Sequence, residues 1–346
     1  MSAATDPAAP ASPRADHAPL LAALATAAAV ALLTVGPDWA SLPARVALLA
    51  ALVFFAMRLL RGRVRQILNG PTAWIAAASL LLILVIALFA PELSPQNPYD
   101  LAQLDIMDGR LPPGSTTFDG SMTYLLGTDE QGRDILSGIF YGLRVSLIVA
   151  IAATAAAMAI GVVVGIYAAW AGGRVETVLM RLVDLQLSFP SILVALMLMA
   201  AFGRGLDKVV IALIVVQWAY YARTVRGAAL AEARKEYIDA ARGLGLPAWR
   251  ILLRHLLPNC IPPLVVISTV QVANTIVLES SLSFLGVGVP ITRPSLGLLI
   301  ANGYDFMLSG QYWMSMYPGV ALLIIVASIN LVGDRLRDVL NPRLRR

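Results

Sequence analysis

Residues 145–171 read VSLIVAIAATAAAMAIGVVVGIYAAWA, without one charged side chain. As a helix, a run of this length reaches about 40 Å, enough to cross the hydrocarbon core of a bilayer. Seven more apolar runs lie near 20–36, 43–60, 72–90, 182–202, 207–222, 261–285 and 314–333. The expected fold is therefore all-α: a polytopic membrane protein with a six-span core over 67–346 and an N-terminal two-helix hairpin at 19–66, eight spans in all. Composition agrees, because the 346 residues are 58% hydrophobic and 14% charged, whereas soluble domains carry roughly a quarter charged residues. Residues 1–18 are rich in Ala, Pro and Ser and read as a disordered tail. The second apolar run follows the first within a few residues, which favours a hairpin over a cleaved secretory leader.

Rare residue types exclude several chemistries. Cys260 is the lone cysteine, so no intrachain disulfide and no CxxC motif can form. His17 and His255 are the two histidines, too few for HExxH or multi-histidine metal sites. The lysines, Lys208 and Lys235, follow Asp207 and Arg234, so the Gly-Lys-Ser/Thr of a phosphate-binding loop is missing. No catalytic, cofactor or metal residues are expected in this chain.

The net charge of +5 sits at the ends of apolar runs, which points to membrane orientation rather than to nucleic acid. With the N-terminus inside and strict alternation, most of the 26 basic residues fall on the cytoplasmic side. Both termini are then cytoplasmic. Residues 91–143 form a long acidic outer loop, and residues 223–260 form a basic inner loop. Helix formers fill 226–244, Gly245 stops that helix, and Pro247 opens a second short one.

The inner loop carries Glu236-Tyr237-Ile238-Asp239-Ala240-Ala241-Arg242-Gly243-Leu244-Gly245 and ends His255-Leu256-Leu257-Pro258-Asn259. This pattern resembles the EAA loop of ABC-transporter permease subunits, with Asp239 as the acid, Ala240-Ala241 as the small pair, then Gly245 and Leu257-Pro258. Glu236, Tyr237, His255 and the Pro-Asn end look like the dipeptide/oligopeptide (nickel) branch, and the chain resembles the C-type permease of its pair. Physically, two short helices joined at Gly245 make a rigid projection. Small side chains at Ala240 and Ala241 would let another protein's groove approach the backbone. The competing reading is a basic amphipathic helix lying on the inner leaflet. A lone histidine such as His255 is ordinarily a packed or capped residue.

Two more stretches carry the resemblance. One is Leu126-Gly127-Thr128-Asp129-Glu130-Gln131-Gly132-Arg133-Asp134 with Gly142-Leu143-Arg144; Ser137-Gly138 stands where the family commonly has Ser-Arg. Asp129, Arg133 and Asp134 there read as a helix-start ion cluster, with substrate contact as the competing reading. The other is Glu279 to Gly288 with Pro294-Ser295-Leu296-Gly297, where Leu296 replaces a family Trp expected at the outer surface. The resemblance covers about 70–340. It implies a second homologous permease, two cytoplasmic ATPases that bind ATP and Mg, and an extracytoplasmic binding protein, all at the plasma (inner) membrane. The implied solutes are dipeptides, oligopeptides, nickel chelates or glutathione.

Glu279 is a carboxylate inside an apolar run, an expensive placement unless paired or wet. With Gln271, Asn274 and Ser281 it forms a polar set that either lines a pathway or joins helices. Asp184 is expected to pair with Arg181, three residues earlier. Two other function classes compete with the importer permease. A stand-alone secondary transporter would carry more mid-membrane ionisable groups. A membrane enzyme would need catalytic clusters that this composition hardly supplies.

Overall fold

The computed structural model describes residues 70–290 and 292–340. The expected tail 1–18 and the apolar runs 20–36 and 43–60 of the hairpin lie outside the described residues. Within them the chain is a helical membrane protein. Five helices are long and apolar enough to span a bilayer, and a bent pair supplies a sixth crossing if it counts as one.

The first span, α1, runs Pro71–Leu88 and starts on a proline, whose missing N–H is not needed in a first turn. A short α2, Ala90–Leu93, leads into the long loop before the next span, which holds a two-stranded antiparallel ribbon of β1, Ser115–Thr116, and β2, Thr123–Tyr124. The third helix, α3, covers Ile135–Ala171 and so begins ten residues before the apolar run 145–171. Its start is fixed by the Asp134 side chain, which accepts from Ser137 N at 2.8 Å and from Ser137 Oγ at 2.6 Å.

The run 182–202 is not one straight span, contrary to expectation. It divides into α4, Gly173–Ser188, and α5, Ser191–Phe202, bent by 90° at Phe189-Pro190. Proline disfavours helical geometry in the residue before it, and Phe189 is accordingly extended at φ −87, ψ 139. With 12 residues, α5 is about 18 Å long, too short to cross alone.

Helix α6, Leu206–Ala233, continues well past the expected end at 222. After a break at Arg234-Lys235 come α7, Glu236–Gly243, and α8, Ala248–Ile251. A π-helical turn, Leu252–Leu256, then leads into α9, Leu257–Phe284. Widening to a π turn accommodates Pro258, which can supply no N–H to the turn before it. The last helices are α10, Leu296–Tyr304, and α11, Trp313–Leu340.

Helix α3 lies along α6. A Cβ on Gly161 would stand 2.4 Å from Tyr221 Cβ, and one on Gly165 would stand 2.5 Å from Ala222 O. Only glycine permits that approach, the small-residue logic of membrane helix pairs. One apolar cluster joins α1, α3, α9, α10 and α11 through residues such as Ile83, Leu143, Ile276, Leu296 and Ile325. Leu296 is fully buried there, so it is a core residue and not an outer-surface one. A second cluster joins α3, α6, α7 and α9, and a third joins α3, α5, α6 and α9. Large apolar side chains such as Leu82, Val163, Met197 and Leu323 point outward, as lipid or a protein neighbour requires.

Candidate functional site: a projecting helix pair and an intramembrane groove

Helix α7 carries Glu236 and Asp239 in its first turn and Arg242 in its last, the charge order its dipole favours. It ends in a Schellman cap. Gly245 N donates to Arg242 O at 2.9 Å and Leu246 N to Ala241 O at 3.2 Å, with Gly245 in the left-handed region at φ +67. This cap explains a departure from expectation. Ala241, anticipated as an open face for a partner, is buried with Ile238, Ile251 and Leu256 in the apolar cluster beneath the loop, where Leu246 packs against the same cluster. Ala240 is exposed, as are Glu236, Tyr237 and Asp239. The small pair thus divides: Ala241 seats the helix and Ala240 stays open.

The projection is tied to the core at several points. Tyr237 OH donates to Glu232 Oε1 and accepts from Asn259 Nδ2, the latter at 3.0 Å, and Asn259 also donates to His255 O at 2.7 Å. Burial and the Glu232 carboxylate push the Tyr237 phenol up from its ordinary value. The Tyr237 and His255 rings lie 6.4 Å apart. His255, Leu257 and Pro258 are half-buried at the entry to α9. The Arg242 guanidinium sits 5.0 Å over the Trp170 ring at the end of α3. Arg226 pairs with Glu176, and Arg223 with Asp184. Asp184 therefore bonds across to α6 rather than to Arg181 on its own helix. Sequence reasoning missed three exposed apolar side chains on the loop, Leu244, Trp249 and Leu253, at 80%, 62% and 58% exposure. A large aromatic in a basic loop was the available signal.

The intramembrane polar set also divides. Glu279 is wholly buried. It accepts from Ser146 Oγ of α3 and Ser283 Oγ of its own helix, each at 2.8 Å, and from Ser280 Oγ at 3.5 Å. Gln271, Asn274 and Ser281 instead line an open groove of about 360 Å³ between α5, α6 and α9. Ser191, Gln217 and Tyr220 line it too. These three were not anticipated, although Gln217 is the lone carboxamide in the run 207–222.

At the other end of the spans a cavity of about 560 Å³ is lined by Asp129, Glu130, Arg204, Asp305 and neighbours. Asp129 Oδ1 accepts from Gln131 N at 2.8 Å and Arg133 N at 2.9 Å. Burial pushes its carboxyl above the ordinary range against those two bonds. With Asp134 capping α3, the expected ion cluster works chiefly by organising backbone N–H groups.

Broken and continuous spans around an uncharged groove, with a braced helix pair at one end, define a polytopic helical membrane protein. Comparison with known proteins is specific. Residues 161–346 match the family described as binding-protein-dependent transport system inner membrane component, and residues 58–113 match the N-terminal TM domain of oligopeptide transport permease C. Among the relatives, a di/tripeptide transport system permease of Pseudomonas aeruginosa is 36% identical over 77% of this chain and 86% of that protein. A dipeptide transport system permease of Bacillus subtilis is 34% identical over 82% and 85%, and one of Escherichia coli 36% over 77% and 87%. The fold is similar to an inward-facing MetNI methionine ABC transporter chain, with TM-score 0.50, 22% identity and coverage of 60% of this chain and 98% of that one. The chain belongs to the family of binding-protein-dependent transport system inner membrane components.

Proposed function

We propose that this chain is one permease half of an ATP-driven importer for peptides, paired with a second homologous permease. The peptide assignment is supported by the di- and tripeptide permeases it resembles. In this reading the chain catalyses no covalent step. Two cytoplasmic ATPases bind ATP and Mg, and an extracytoplasmic binding protein delivers solute to the face bearing the Asp129–Asp305 cavity. The protein sits in the plasma (inner) membrane with both termini cytoplasmic, so the α7–α8 projection meets the ATPases. Gln271, Asn274 and Ser281 belong to the pathway side, while Glu279 serves helix joining.

The observation that carries the reading is the braced projection: Ala240 open at its surface, Ala241 sealed beneath, and Tyr237, Arg242 and Asn259 tying it to three spans. A contact so tied moves the spans when the ATPases close. Ala240→Trp adds bulk on the open face without entering the core. It is expected to remove ATPase co-purification and uptake while leaving permease pairing intact. Retained ATPase binding with normal uptake would overturn the coupling assignment. A secondary transporter is disfavoured by where Glu279 lies, sealed among serines away from the groove.

A further inference from the structure

The groove between α5, α6 and α9 holds a feature that packing does not explain. Gln217 is 3% exposed, and its Oε1 is buried without a hydrogen-bond partner. Its orientation follows from the neighbouring hydroxyl. Thr275 Oγ1 donates its single proton to Gln271 O, so toward Gln217 it can only accept. Gln217 accordingly presents Nε2 to Thr275. The acceptor Oε1 is left over on a residue that lines the groove. A buried acceptor without a partner is destabilising, so one that a fold keeps invites a donor from elsewhere.

The rest of the lining fits the same donor. Asn274 Nδ2 donates to Gln271 Oε1 at 3.1 Å, which leaves Asn274 Oδ1 as an acceptor on an exposed residue. Ser191, Ser281 and Tyr220 add hydroxyls, and no acid or base is present among the lining residues. Such a surface recognises neutral N–H and C=O groups and is indifferent to charge. A pathway site must also bind weakly enough to release. About 360 Å³ lies in the range of small-ligand pockets.

We propose that this groove is a transient peptide-backbone subsite, with Gln217 Oε1 and Asn274 Oδ1 accepting from backbone amide N–H groups of the passing solute. Backbone amides are the groups all peptides share, so such a subsite passes solutes of differing side chains. The inference rests on the importer reading above and adds which residues touch the cargo and which part of it they touch.

The test uses the complete transporter in proteoliposomes, with partner permease, ATPases and binding protein, and trialanine as the probe. Trialanine moved per ATP hydrolysed is expected to fall about fivefold or more in Gln217→Leu, since sites built on hydrogen bonds lose more than a methylene's worth when one partner goes. ATP hydrolysis stimulated by the loaded binding protein is expected to stay near normal. Wild-type transport per ATP in this variant overturns the subsite, and so does a parallel loss of stimulated hydrolysis in a normally assembled complex, which marks a packing role. Should Gln217→Leu fail to assemble, Asn274→Leu decides by the same ratio, because its side chain is exposed. A wild-type complex that hydrolyses ATP but moves no peptide sinks the importer reading instead, a separate result.

Discussion

Glu279 takes two good hydrogen bonds, from Ser146 on α3 and Ser283 on α9, and is sealed from solvent. A fully buried carboxyl group depends on such partners, and leaving a buried polar group unpaired costs about 1–3 kcal/mol. Ser146→Ala is therefore expected to destabilise the α3–α9 contact by about 1–3 kcal/mol, read as a lower thermal unfolding midpoint in detergent. Glu279→Gln, which keeps shape and still accepts, should be milder. Equal stability of Ser146→Ala and wild type would show that the pair contributes nothing. The sequence left Glu279 open between pathway and helix joining, because linear spacing does not say which neighbouring helix supplies a donor. Ser146 lies 133 positions away. By contrast, Gln271 and Asn274 were legible as a polar face, since their i,i+3 spacing alone puts them together.

At the scale of elements, the α7–Gly245–α8 turn shows both what a motif tells and what it withholds. Gly245 as a helix stop was readable from composition, and its φ of +67 supplies the reason. Which alanine faces inward was not read, yet the spacing held it: Ile238 and Ala241 are three apart and share the buried face. The break in 182–202 was hidden because an apolar average ignores one proline; Pro190 was the signal. The single helix expected over 226–244 is instead the end of α6 and the whole of α7, parted at Arg234-Lys235. Substitutions at two positions separate the cap from the buried seat beneath it. A Cβ at Gly245 meets nothing within 4 Å, so Gly245→Val strains only the backbone, by roughly 1–2 kcal/mol, whereas Gly245→Asn tolerates the left-handed region. Uptake should drop clearly with Val and stay near wild type with Asn. Ala241→Trp must displace the packing of Ile238, Ile251 and Leu256. It is expected to raise protease cleavage of the α7–α8 segment even without ATPases present. Unchanged cleavage would contradict the buried placement of Ala241.

Across the whole molecule, the contacts sort the connecting segments into two ends. The first contains the outer loop, with Trp313 Nε1 donating to Thr128 O at 3.3 Å, Arg110 stacked 4.5 Å over the Phe306 ring, and Arg204 sharing a cavity with Asp129 and Asp305. The second gathers the α3–α4 corner with α7 and the end of α6, through Trp170–Arg242 and Glu176–Arg226. These are the groupings that strict alternation of the spans 72–90 onward requires, once α4 and α5 count as a single crossing. Basic residues concentrate at the second end, including Arg223, Arg226, Arg234, Lys235, Arg242, Arg250 and Arg254, which the positive-inside rule assigns to the cytoplasm. The assignment is checked with single cysteines in intact cells. Cys260 is fully buried and can be replaced to clear the background. A cysteine at Asp119, in the exposed turn of the β1–β2 ribbon, is expected to react with a membrane-impermeant maleimide from outside. One at Lys235 should react only after the membrane is opened. Labelling of Lys235 from outside would invert the orientation and separate the α7–α8 projection from any cytoplasmic ATPase.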